Sequence, residues 1–211
     1  MKLKIIFTIL AFCLSSSMYG QQQQHYIFFL HNKWLQEHAL NEAHPTYGVA
    51  EYNHILQKLE DKNTVVITEK RKPGTAETTY AMKVKKQVDS LIKKGILPEN
   101  ITVIGTSQGG YIAQYVSYFA KNPRLKFVFI GASFRDDDLE KDKNFKLYGK
   151  ILSITEKSDE GQVPLSQEQR FIRSDIHSFK EITLTTGLHH GFLFKALDEW
   201  IAPAKQWAIS K

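Results

Sequence analysis

The chain has 211 residues and a formal charge of +6, with 42% hydrophobic and 24% charged residues, 12 glycines and 6 prolines. That balance excludes a disordered or collagen-like chain, and the length fits one domain with a real core. A single cysteine, Cys13, rules out an internal disulfide framework, and no Cys/His cluster has zinc-finger spacing.

Lys2 and Lys4 precede an apolar run from Ile5 to Leu14, and Ser15-Ser16-Ser17-Met18-Tyr19-Gly20 follows. Charged, apolar, then small residues is the order of a secretory signal, predicted over residues 1–20 with cleavage between Ser17 and Gln21. The apolar run spans about 15 Å as a helix, short of a bilayer core of roughly 30 Å, so no stable membrane span is expected after its removal. Losing two lysines and no acids takes the charge from +6 to +4. The remaining chain has no thiol, which suits an exported protein, periplasmic or secreted. Residues 21–25 read as a polar spacer and residues 26–211 as the folded domain.

Tyr26–Leu30 is a continuous apolar run, the mark of a strand buried on both faces. A helical period over Tyr47–Leu59 follows, then a strand over Thr64–Thr68. Pro73-Gly74 punctuates before a helix whose apolar face runs from Tyr80 to Ile92 and which ends near Gly95. Ile101–Ile104 is a third strand and Tyr111–Ala120 a third helix. Phe127–Ile130 and Ile151–Ile154 are further strands and Phe179–Leu184 a weaker one. Phe192–Trp207 reads as a final helix interrupted near Pro203. Strand and helix in alternation predict one α/β domain, a mainly parallel sheet with helices on both faces. In such sheets, sites gather beyond the carboxyl ends of the strands.

Gly105-Thr106-Ser107-Gln108-Gly109 stands at such an end, between the third strand and the third helix. A serine hydroxyl is a weak nucleophile and must be exposed beside a base. A sharp strand-to-helix turn exposes it, and flanking glycines permit the tight backbone. Gly109-Gly110 lacks the Lys-Ser/Thr pair of a phosphate-binding loop.

With this pentapeptide, His44-Pro45-Thr46-Tyr47-Gly48 and Thr186-Gly187-Leu188-His189-His190-Gly191-Phe192 resemble the α/β-hydrolase superfamily. The closer likeness is to its small, lidless bacterial serine hydrolases, and it covers roughly residues 25–210. It implies a single-domain α/β-hydrolase fold, shortened at the N-terminus because the chain starts at what is normally the third strand. It also implies Ser107 as nucleophile, His190 as base and an acid after the Ile151–Ile154 strand. Imidazole titrates near neutrality and can take and return the serine proton. His189 is its neighbouring rival. Asp159 sits where the family acid lies; Glu156, Glu160 and the Asp136–Asp138 run are the alternatives.

An oxyanion hole needs two backbone N–H donors. One is expected from Gln108 and the second from Lys33, in the loop after the first strand. The family often opens that loop with His-Gly, whereas this chain has His31-Asn32; asparagine tolerates the left-handed backbone that glycine would supply. His31 itself reads as structural. Trp34, Tyr111, Phe134 and Phe192 are candidate walls of an apolar acyl pocket. Lys70-Arg71-Lys72 reads as solvated loop charge. Basic residues spread without interleaved aromatics argue against a nucleic-acid partner. No metal constellation is present in the sequence and no cofactor is expected. The expectation is an exported serine hydrolase that cleaves a small-molecule carboxylic ester, less readily an amide, through an acyl-enzyme. A non-catalytic binding protein on the same scaffold and an acyltransferase are the alternatives.

Overall fold

The computed structural model describes residues 24–176 and 178–210. The signal segment expected over residues 1–20 lies outside them. The first strand, β1, is His25–Leu30, one residue earlier than the sequence suggested. A two-stranded hairpin follows, β2 (Ala43–His44) with β3 (Gly48–Val49). The remaining strands are β4 (Thr64–Thr68), β5 (Ile101–Thr106), β6 (Lys126–Ile130), β7 (Lys150–Glu156) and β8 (Ser178–Leu184). The main sheet is parallel throughout, in the order β4-β1-β5-β6-β7-β8.

The pleat of β1 divides the core. Ile27 and Phe29 face one side, with Ile104 and Val128, under α2 (Tyr52–Leu59) and α7 (Asp198–Ile209). Phe28 and Leu30 face the other, with Val103 and Phe127, under α3 (Glu77–Lys93) and α4 (Gln108–Ala120). Both faces being covered, the central strands carry unbroken apolar runs. The edge strand β8 alternates only loosely and includes Lys180 and Glu181, which is why its sequence signal was weak.

Two helices begin later than expected, whereas α3 and α4 begin earlier, at Glu77 and Gln108. The helix expected over residues 47–59 begins at Tyr52, because residues 43–49 form the hairpin. Gly48 turns it at φ +73°, and His44 Nδ1 accepts from the backbone N–H groups of Thr46 (3.1 Å) and Tyr47 (3.2 Å). The last helix starts at Asp198 and runs through Pro203, while His189–Phe194 is a tight 3₁₀ turn. Burial of Trp200, Ile201, Ala204 and Ala208 offsets the backbone hydrogen bond that Pro203 cannot donate. The short helices α1 (Lys33–Glu37), α5 (Asp138–Lys141) and α6 (Gln169–Ile172) have no sequence signal long enough to show a period.

The chain leaves β1 for β4 on one side and returns to β5 on the other, with Leu30 paired to Gly105. The loops beyond these two carboxyl ends diverge, and a crevice opens between them.

Candidate active site

Ser107 occupies the turn between β5 and α4 with φ 50° and ψ −120°. A non-glycine residue in such a region costs about 1–3 kcal/mol, so the surroundings must hold it. They do so by close approach. A Cβ on Gly105 would lie 2.1 Å from Gly109 O, and one on Gly109 would lie 1.9 Å from Leu30 O. The same atom on Gly110 would meet Ala132 Cβ at 2.4 Å. Each glycine of the Gly-x-Ser-x-Gly-Gly run is therefore there for want of space. Ser107 N–H donates to Ile130 O at 2.8 Å, fixing the turn to the end of β6.

His190 and Asp159 come from the loops after β8 and β7, which pair in register up to Glu156 and Leu184. His190 Nε2 lies 2.9 Å from Ser107 Oγ, and Nδ1 lies 2.5 Å from Asp159 Oδ2. Asp159 is buried, and Gln162 Nε2 donates to the same carboxylate oxygen. The rivals point elsewhere. His189, at φ 50°, places Nδ1 2.5 Å from Ser158 O. Glu160 is exposed. Asp137 binds the buried Arg170 at 2.5 Å and accepts from the Tyr111 hydroxyl at 2.8 Å.

Glu156, weighed from sequence as an acid, has a different set of partners. Its buried carboxylate accepts from Ser158 N–H (3.1 Å) and hydroxyl (2.8 Å), and from Thr186 N–H and hydroxyl (both 2.9 Å). Burial pushes its pKa up, but these donors prevail and hold it at about 2. Ser158 Oγ in turn accepts from His189 N–H at 3.0 Å. One carboxylate thus ties the loop bearing Asp159 to the loop bearing His190.

The loop after β1 is organised by a residue that the sequence reading assigned to solvent. Arg71 is buried, and its guanidinium donates to His31 O (2.6 Å), Asn32 O (3.2 Å), Gln36 Oε1 (2.8 Å) and Gln108 Oε1 (3.2 Å). Its backbone N–H donates to His31 Nε2 at 2.9 Å. Burial, then the Arg71 charge, push the His31 pKa down to about 4, so this ring stays neutral. The Arg71 pKa is itself lowered to about 10 by burial, which leaves it charged at neutral pH. The pairing of Phe29 with Thr68 carries residue 71 to the side of residue 31, a placement that charge pattern alone could not reveal. Lys70 and Lys72 are exposed, as expected.

Asn32 does not substitute for a left-handed glycine. Its φ is −67°, and its side chain caps the Lys33–Glu37 helix by accepting from Leu35 N–H at 3.0 Å. Lys33 and Gln108 are each the first residue of a helix, so neither N–H has a preceding turn to donate to.

A cavity of about 300 Å³ opens beside Ser107 and His190, lined by Asn32, Lys33, Trp34, His44, Tyr47 and Phe194 among others. Of the expected walls, Trp34 is in place. Phe134 packs beside His190, ring centres 5.8 Å apart. Phe192 is wholly buried in the core and so cannot line the cavity. Tyr111 is turned to Asp137, away from it. The tight turn that follows β8 draws Phe192 inward and presents Phe194 instead. A larger cavity of about 610 Å³ lies at the amino end of the sheet, around His25 and Thr64, remote from Ser107. Among the described residues no group of three His, Cys, Asp or Glu could hold a metal ion, and no helix is long and apolar enough to cross a membrane.

Solved structures share this architecture. An arylesterase superposes with a TM-score of 0.59 at 13% identity, over 88% of this chain and 76% of its own. SOBER1 of Arabidopsis thaliana gives 0.54 at 14% identity, over 88% of this chain and 97% of its own. A lipase-esterase related protein from Clostridium acetobutylicum gives 0.54 at 16% identity, over 89% and 96%. An enzyme described as an alpha/beta hydrolase, from a deep-sea metagenome library, gives 0.53 at 15% identity over 92% and 87%. The fold is that of the α/β-hydrolases. No family model matches the sequence, and no curated protein matches it. The α/β-hydrolase scaffold therefore stands on architecture alone.

Proposed function

We propose that the protein is an exported serine hydrolase of small carboxylic esters. One observation carries the reading: the unbroken line of contacts from Asp159 through His190 to Ser107 on a strained, glycine-bounded turn. Ser107 Oγ attacks the ester carbonyl while His190 Nε2 takes its proton. Asp159 holds the ring with its other proton on Nδ1 and stabilises the imidazolium. The oxyanion is assigned to the N–H groups of Gln108 and Lys33. His190 then protonates the departing alcohol, and water, activated by the same imidazole, releases the acid from the acyl-enzyme. Neighbours described as an arylesterase and a lipase-esterase related protein favour esters over amides. The 300 Å³ cavity fits a group of modest size.

A binding-only reading drew its support from the missing glycine after His31. The extended Asn32, serving as a helix cap, removes that ground. Release of p-nitrophenol from short-chain p-nitrophenyl esters tests the activity; no turnover above that of a Ser107→Ala variant would reject it. Export rests on the residue order before Gln21. N-terminal mapping of the protein from its natural compartment should start between Ser17 and Gln21, and an intact Met1 there would reject export.

A further inference from the structure

The hairpin β2–β3 carries a histidine that the proposed hydrolysis does not use. His44 lines the cavity beside Ser107, yet it belongs to neither the nucleophile nor the acid side of the site. Two backbone N–H groups, those of Thr46 and Tyr47, both point at its Nδ1. A nitrogen that accepts cannot carry the ring proton, so the proton sits on Nε2. That N–H meets no acceptor among the described residues. The ring is also fixed in orientation. It stacks on Tyr47 at 4.5 Å and 16°, and it meets Trp34 and Phe194 edge-on at 4.6 and 5.3 Å. The second imidazole of the cavity, His38, is held by Glu42 at 2.6 Å and stacks on Trp34 at 3.5 Å.

We infer that His44 Nε2–H is a specificity donor, and that the group held in the cavity is a ring bearing a hydroxyl oxygen. The inference rests on the esterase reading above and adds the substrate class to it. The chemistry is that of a mixed surface. Trp34, Tyr47 and Phe194 offer aromatic walls to the C–H faces of a ring, while the half-buried His44 sets one rigid donor among them that needs an acceptor once a ligand displaces its water. A plain alkyl or phenyl group would strip water from that N–H and return nothing, whereas a hydroxyl oxygen restores the bond. Sites built to hydrogen-bond a hydroxyl discriminate strongly against the analogue that lacks it. An ester of a hydroxylated ring alcohol satisfies both halves of the wall.

Cyclohexyl acetate and the monoacetate of trans-1,2-cyclohexanediol are a matched pair that differs by one hydroxyl. The test measures acetate release from each, in the wild type and in His44→Asn. Asparagine keeps an acceptor oxygen near the Nδ1 position for Thr46 and Tyr47, but it removes the donor that reaches the cavity. The wild type should favour the diol ester by roughly tenfold in kcat/KM, the scale of one hydrogen bond, and His44→Asn should bring that ratio close to one. An equal ratio in both proteins, or a wild-type preference for cyclohexyl acetate, overturns the inference while leaving the esterase reading in place. No acetate from either ester, together with no labelling of Ser107 by a fluorophosphonate, overturns the esterase reading and this inference with it. A long-range ¹H–¹⁵N spectrum of the histidines in the wild type is independent of turnover. It should show His44 protonated on Nε2, and protonation on Nδ1 overturns the assignment.

Discussion

Replacing Glu156 by glutamine tests how the two site loops are held together. The carboxylate is buried and accepts four hydrogen bonds of 2.8–3.1 Å from Ser158 and Thr186. Those bonds hold its pKa at about 2, below the ordinary value of 4.5. At 1.36 kcal/mol per pKa unit the depression corresponds to about 3 kcal/mol of stability. The sign follows from the direction. A folded-state pKa below the unfolded one stabilises above about pH 4.5, and that stabilisation is lost as pH falls towards 2. Glu156→Gln should therefore lose about 3 kcal/mol in urea unfolding at pH 7, because one oxygen becomes an NH₂ facing other donors. The difference from the wild type should shrink to less than half by pH 3. Turnover should fall roughly tenfold or more with little change in KM, since Asp159 and His190 lose their common tie rather than their chemistry. A loss below about 1 kcal/mol at pH 7, or a loss that does not vary with pH, would refute the reasoning.

Arg71→Lys keeps the charge but loses the fork that serves His31, Asn32, Gln36 and Gln108 at once; it should cost about 2 kcal/mol in chemical denaturation and depress kcat, and a variant as stable and active as the wild type would disprove the role. Asp159→Asn should lower turnover by about 10⁴, the loss seen when imidazole tautomer control is removed, whereas Asp138→Asn should change it less than twofold, because Asp138 is exposed beside Lys141. Asp137→Asn should lower the melting temperature rather than the catalytic rate, since its partner is the buried Arg170. Gly109→Ala should fail to yield folded protein as judged by circular dichroism, because its Cβ would sit 1.9 Å from Leu30 O; a native-like spectrum would contradict the packing argument.

The parts of this molecule legible in the sequence are those whose signal is local. Tyr26–Leu30 and Ile101–Ile104 announce buried strands by unbroken apolarity, and Gly105–Gly109 announces a tight turn through glycines that the structure shows to be sterically forced. Asp159 is named from sequence through the family resemblance; what brings it to His190 is that the consecutive strands β7 and β8 lie side by side. The residues that hold the site in place depend instead on contacts between distant segments. Arg71 lies between two exposed lysines, and only the β1–β4 register brings it to His31. Glu156 is one carboxylate in an acidic stretch until Thr186, 30 residues on, supplies its donors. His44 owes the two donors on its Nδ1 to a seven-residue hairpin, residues 43–49, too short to leave a periodic pattern. Phe192 turns into the core rather than the cavity, and an aromatic beside the histidine looks the same in sequence whether the turn sends it inward or outward.

The proposed chemistry turns on Ser107 as a nucleophile activated by His190. The most direct measurement treats the protein with a fluorophosphonate and maps the adduct by mass spectrometry, with Ser107→Ala and His190→Ala alongside. A single adduct is expected on the peptide containing Ser107, none in Ser107→Ala, and labelling at least a hundredfold slower in His190→Ala, within the loss expected when a general base is removed. A wild type that takes no label, or one labelled equally well without Ser107, would contradict it.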